Sequence, residues 1–324
     1  MKIPYIATNF TLPAYAGLNG SHSLTASWTD LVWSAITAGK PGASHLLAHR
    51  WHSLADMVVR THTVYANLLQ RGNLIDRSTL YDAMDPTEKG ATSYFLGMVM
   101  AKLFSAKKFD TPWLFHVSQA TANGATIRFK HGSKSQPDLI GQNRSGDWLV
   151  FEAKGRTNGL DANALTKAKS QTKMIRTVNK SKPHLRVALQ AYFEDNLSVR
   201  LDDPPESDPE AVDVEIDLNA ALSRYYSVAT AIALRSQSRE TFQGQEYVSR
   251  FDEDSGITIG VESSILSAVS AGNFSVLRER LASSGEAPLK SAENAAVYPD
   301  GLFVRLDGRW SQQLMALEPE ERLG

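Results

Sequence analysis

The chain has 324 residues, 42% hydrophobic and 21% charged, with a formal net charge of −1. That is enough apolar material for a large core, and it excludes an overall basic nucleic-acid coat protein. The absence of cysteine excludes disulfides, thiolate zinc sites and cysteine nucleophiles. No apolar run has the length of a membrane span, and Met1-Lys2-Ile3-Pro4 does not begin a signal peptide, so a cytoplasmic protein with no membrane partner is expected.

Residues 1–20 read as irregular. From about Ser27 the spacing of Trp28, Leu31, Val32 and Ile36 predicts a helix, ended by Gly39-Lys40-Pro41-Gly42. A longer helix is expected from about Ser44 to Gln70, closed by Arg71-Gly72-Asn73, and a short one over Arg77 to Met84. The first 84 residues therefore read as a helical N-terminal region. His45, His49 and His52 are spaced like partners on one helix face, but no carboxylate accompanies them, so ordinary histidines of an amphipathic helix are expected rather than a metal site.

Asp85-Pro86-Thr87-Glu88 is a strong helix start, with Asp85 as cap, Pro86 in the first turn and Glu88 completing a capping box. That helix carries Tyr94, Phe95, Met98, Val99 and Leu103 and runs to about Lys107. Trp113 to Val117 reads as a first strand, and Ile127-Arg128-Phe129 begins the stretch that leads to Gln136-Pro137-Asp138. Asn143-Arg144-Ser145-Gly146-Asp147 is turn-rich and folds the chain back as a hairpin. Trp148 to Lys154 is then apolar enough for a central strand. A period of two puts Glu152 and Lys154 on one face, with Ala153 on the other, and antiparallel pairing places Asp138 beside Glu152. Gly155 to Gly159 leaves the sheet. A helix from about Asp161 to Asn179 and strands over His184–Phe193 and Leu197–Leu201 follow.

Two adjacent carboxylates repel each other, and Mg²⁺, a hard cation that takes carboxylate, water and phosphate oxygens, offsets that repulsion. A lysine two residues along can position or activate an attacking water. Pro137-Asp138 followed by Glu152-Ala153-Lys154 resembles the PD-(D/E)xK nuclease superfamily. Pro299-Asp300-Gly301 has no such sequel and reads as an ordinary turn. The resemblance implies an α/β fold. It places a restriction-endonuclease-like core (αβββαβ, a mixed sheet flanked by helices) over residues 85–204, after the helical region 1–84. It implies Mg²⁺, with Mn²⁺ as a substitute, held by Asp138, Glu152, the carbonyl of Ala153 and Glu88, the one acidic residue of the preceding helix. Catalysis would fall to Asp138, Glu152 and Lys154. Arg156, Lys167, Gln171 and Lys173 would bind nucleic acid, DNA in preference to RNA.

Charge supports a local phosphate surface: residues 127–186 hold 13 Lys/Arg against 4 Asp/Glu. Residues 202–217 reverse the sign with eight acids among three prolines, and read as a solvated loop or as a strand covering the basic groove. Residues 205–324 form an α+β region without a catalytic signature: helices over Leu218–Ser236, Ser263–Ser270 and Phe274–Ala282, strands over Ile257–Val261 and Leu302–Leu306. The expected function is a metal-dependent DNA endonuclease of bacterial phage defence, restriction or a mobile element. It would pair with itself or with a protein partner through the N- or C-terminal region. The alternative is a non-catalytic nucleic-acid-binding or assembly subunit on a nuclease-like fold.

Overall fold

The computed structural model of the chain describes residues 1–38, 51–117, 136–204, 207–236, 238–283, 291–292 and 294–312. His45, His49, the side chain of His52 and the Ile127–Phe129 stretch lie outside them. Within the described residues the protein is mixed α/β, with a nine-stranded mixed sheet flanked by helices and a second sheet of six strands.

The first correction concerns the N-terminus. Residues 1–20 are irregular only between 9 and 19, and the region up to 84 is not purely helical. Lys2–Thr8 is a strand, β1, with Ile3, Tyr5 and Ala7 pointing inward. It pairs antiparallel with β2 (Gly20–Thr25). It also pairs parallel with β10 (Leu197–Asp202), Tyr5 opposite Val199 and Thr8 opposite Asp202. A seven-residue strand depends on its neighbours for its hydrogen bonds, and here a neighbour comes from the far side of the chain. The helices α1 (Trp28–Thr37) and α2 (Trp51–Asn67) follow. The expected second helix stops short of Gln70, because Leu68–Arg71 (β3) turns back as a hairpin with Leu74–Arg77 (β4). A short helix, α3, covers Thr79–Ala83.

The helix α4 (Pro86–Lys108) starts as its sequence dictates. The Asp85 carboxylate accepts the N–H groups of Thr87 and Glu88, and Glu88 reaches back to the Asp85 N–H. Its later turns are buried from Leu96 to Ser105. It lies across β7 (Trp148–Arg156), the strand between β6 (Leu139–Gln142) and β9 (Leu185–Phe193). The approach is backbone to backbone: a Cβ at Gly97 would stand 2.9 Å from the Gly155 nitrogen, and one at Gly155 would overlap the Ser93 carbonyl. β7 therefore continues past Lys154 rather than leaving the sheet at Gly155, with Arg156 opposite Tyr192 of β9. The outer strand β5 (Trp113–His116) pairs with β6.

The helix after β7 is shorter than its sequence pattern suggests. It spans Ala162–Thr172 (α5), and Ile175–Val178 is a strand, β8, paired parallel with Val212–Val214 (β11). Ile175, Thr177 and Val178 are β-branched, which favours an extended chain once a partner strand is present. Part of the acidic segment is thus a strand rather than a solvated loop.

The C-terminal region carries α6 (Leu218–Arg235), β12 (Ser238–Phe242), β13 (Gln245–Asp252), β14 (Ile257–Glu262), α7 (Ser263–Ser270) and α8 (Phe274–Ser283). The short strands β15 (Ser291–Ala292) and β16 (Ala295–Val297), then β17 (Leu302–Leu306), complete the second sheet. One continuous buried cluster runs from Ile3 to Trp310 and joins the two sheets. Among the described residues no helix is long and apolar enough to cross a membrane.

Pro299-Asp300-Gly301 is a turn but not an ordinary one. Asp300 is fully buried, and its Oδ2 accepts the Trp33 Nε1–H at 2.8 Å and the Tyr225 hydroxyl at 2.6 Å. Tyr225 also accepts a hydrogen bond from the buried Lys102 ammonium at 2.7 Å, and that ammonium donates in turn to the Pro112 carbonyl. Burial pulls the Lys102 pKa down to about 7, with Asp300 opposing the shift. These groups tie α1, α4 and α6 to the second sheet.

Candidate active site

The site is built by the hairpin of β6 and β7. Its turn is held by the Asn143 side chain, which accepts the Asp147 N–H at 2.8 Å, and Gly146 adopts the positive φ of 88° that the turn requires. The register that follows sets Leu139 opposite Phe151, so Asp138, one residue before β6, lies opposite Glu152. The Asp138 N–H donates to Glu152 Oε2 at 2.8 Å, and the Ala153 N–H donates to Asp138 Oδ2 at 3.3 Å. The Lys154 ammonium donates to Glu152 Oε1. The structure thus brings Asp138, Glu152 and Lys154 together, though fourteen residues separate the two acids.

The electrostatics are unusual. Glu152 has no exposed surface, Lys154 keeps a fifth of its side chain exposed, and Asp138 is half-buried. Burial pushes the Glu152 carboxyl up to about 8; the Asp138 charge adds to the shift and Lys154 works against it. A buried carboxylate beside another carboxylate resists ionisation unless a cation compensates. Two oxygen donors of this kind suit Mg²⁺, which needs only one or two protein carboxylates and takes the rest of its shell from water and phosphate. Among the described residues no group of three or more His, Asp or Glu side chains converges.

The other predicted residues are distributed as follows. Ala153 is buried and its N–H is used on Asp138. Glu88 is exposed and occupied in the capping box at the start of α4. Gln171 is 92% buried, and its Nε2–H donates to the Gln136 carbonyl at 3.0 Å, so it braces the turn that carries Asp138 rather than facing solvent as a nucleic-acid contact. Arg156 donates to Asp161 at 3.0 Å. Lys167 is exposed on α5 and has no ion pair among the described residues; Lys173 closes the C-terminus of that helix. Arg176, expected on the same helix, lies on β8 and is held in a two-pronged pair by Asp213. Lys169 is taken by Asp202 at 3.0 Å.

The expected basic surface is therefore cancelled only in part: Lys169 and Arg176 are paired with Asp202 and Asp213 of the 202–217 segment, while Lys167, Lys173, Lys180 and Lys182 have no ion pair among the described residues. Two residues near the acids were not singled out from the sequence. Tyr94 sits on α4, and His116 ends β5 opposite Leu139, its pKa lowered by burial and raised by the Asp138 charge. A half-exposed tyrosine on an apolar helix stripe looks like any core-facing aromatic until the packing is known.

No protein-family model, no curated protein and no solved structure matches this chain. The site has to be read from its own geometry.

Proposed function

We propose that this chain is a Mg²⁺-dependent phosphodiesterase of nucleic acids, a nuclease of PD-(D/E)xK type with a restriction-endonuclease-like core. One observation carries the reading: Asp138 and Glu152 oppose each other across a hairpin with Lys154 on the same face as Glu152. The order of α4, β5, β6, β7, α5 and β9 supports it, because it follows the αβββαβ plan, with β8 inserted before the last strand. Asp138 and Glu152 are the residues that would hold the metal.

When bound, Mg²⁺ supplies Lewis acidity toward the phosphoryl oxygens. The Glu152 carboxylate is held by the Asp138 N–H and the Asp138 carboxylate by the Ala153 N–H, which fixes the donor geometry before substrate arrives. Lys154 keeps its ammonium beside Glu152 and orients a water for in-line attack on phosphorus. Gln171 keeps the Gln136–Asp138 turn seated.

The test is cleavage of plasmid and of single- and double-stranded oligonucleotides with Mg²⁺ or with chelator. Wild type cuts with Mg²⁺ alone, and Asp138→Ala and Lys154→Ala lose on the order of 10²–10⁴-fold in rate. Equal cutting by the variants sinks the assignment. DNA, with Mn²⁺ as a substitute metal, remains the preferred substrate class, and a role in phage defence, restriction or a mobile element is the proposed setting.

A further inference from the structure

Tyr94 lies on the first half of α4, where the helix backbone meets the strand that carries Glu152 and Lys154. It follows Ser93, whose carbonyl lies against Gly155, and its backbone nitrogen is 2.9 Å from where a Gly155 Cβ would stand. This close approach pins Tyr94 beside the end of β7 that carries Glu152 and Lys154. Yet 51% of Tyr94 is exposed, while most of the same helix from Leu96 onward is buried. Partial burial first, then the charges of Asp138 and Glu152, hold its hydroxyl above the ordinary tyrosine range, and Arg60 opposes them. Among the described residues its hydroxyl has no hydrogen-bond partner. A half-exposed aromatic side chain therefore springs from the helix turn that packs against the strand of the carboxylate pair.

The surrounding charge bears on what that ring meets. A long duplex is gripped mainly by cations that neutralise successive phosphates. Here Arg156, Lys169 and Arg176 are paired with Asp161, Asp202 and Asp213, and Lys167, Lys173, Lys180 and Lys182 have no ion pair among the described residues. Those lysines can hold phosphates of either a single strand or a duplex, whereas an exposed ring can stack only on a base with an open face, which is one that is unpaired.

Resting on the phosphodiesterase reading above, we infer that Tyr94 is the stacking platform for an unpaired base next to the scissile phosphate, and that the substrate is single-stranded or frayed nucleic acid rather than continuous duplex. The ring orients the nucleotide, and the carboxylate pair and Lys154 act on its phosphate.

The experiment uses the full chain with Ca²⁺ in place of Mg²⁺ and oligonucleotides carrying 2-aminopurine, whose fluorescence falls on stacking. Wild type binds the single strand with quenching and binds the matching duplex more weakly. Tyr94→Phe keeps both properties. Tyr94→Ala binds the single strand roughly ten-fold more weakly and loses the quench, with duplex binding unchanged. Thermal melting checks that Tyr94→Ala is folded, and an exposed site makes that the expected result. If wild type cuts nucleic acid with Mg²⁺ but Tyr94→Ala binds the single strand as tightly and with the same quench, the stacking role is overturned while the nuclease reading stands. Duplex binding as tight as single-strand binding overturns the substrate class. A wild type that neither binds nor cuts any nucleic acid overturns the nuclease reading and this inference with it.

Discussion

Gly155 and Ser93 meet backbone to backbone, so closely that the smallest side chain at 155 would overlap the Ser93 carbonyl oxygen. This contact seats the first half of α4 on the strand that carries Glu152 and Lys154. Neither partner can move aside cheaply, since one is a strand paired at that point with β9 and the other a helix turn. Gly155→Ala is expected to lose about 1–3 kcal/mol of stability, the cost of overpacking a filled interior. Urea unfolding reads that loss, and catalytic activity falls further than stability because Lys154 is displaced with the strand. A variant as stable and as active as wild type would contradict the packing.

The buried Glu152 gives the metal-free protein a pH signature. Its proton is held to about pH 8 in the folded chain and only to about 4.5 when unfolded. The folded state therefore binds more protons across that interval. The group's contribution to stability is full below about pH 4.5 and is lost as pH rises through about 8. With chelator, the melting temperature of wild type should fall between about pH 5 and pH 7 more than that of Glu152→Gln. Lys102, whose pKa is lowered to about 7, works in the opposite direction only above that range. Mg²⁺ at about pH 8 should restore the wild type and do little for Glu152→Gln. Parallel melting curves for the two proteins would remove the case for a buried, proton-holding carboxyl.

Lys102 and Asp300, both fully buried, share the hydroxyl of Tyr225. Removing one charge strands the other, so Lys102→Met alone is expected to cost about 3–5 kcal/mol. Replacing both, Lys102→Met with Asp300→Asn, should recover much of that loss, because two partnered charges are exchanged for groups that tolerate burial. Denaturant unfolding of the two single variants and the double variant measures the coupling. Additive losses would mean that the two groups do not stabilise each other.

Much of the candidate site could be read along the chain because its signals are local. The Asp85–Glu88 capping box needs only four residues, and the structure has it as expected. The hairpin of residues 139–156 needs a turn and two apolar runs. Once its register is set, alternation alone places Glu152 opposite Asp138. Where local pattern misled, a distant partner decided. Ile175–Val178 continues a helical spacing, but Val212–Val214 lies alongside and makes it a strand. Ile3, Tyr5 and Ala7 alternate over too short a stretch to stand out, and β10, distant in sequence but adjacent in the sheet, recruits them. Tyr94 looked like a core residue of its helix and is half exposed beside the acids.

The amino-acid order by itself determined which side chains meet at the candidate site, because a hairpin's period and turn fix who faces whom within about twenty residues. Only the tertiary structure decided how much charge is left to use. A lysine or arginine counts as free in the sequence, but its effect depends on whether a carboxylate folds in beside it. Asp161, Asp202 and Asp213 do so here. It also decided that Asp300, in a turn like many others, lies buried with Lys102, since burial belongs to the packing of whole elements and not to any short run of residues.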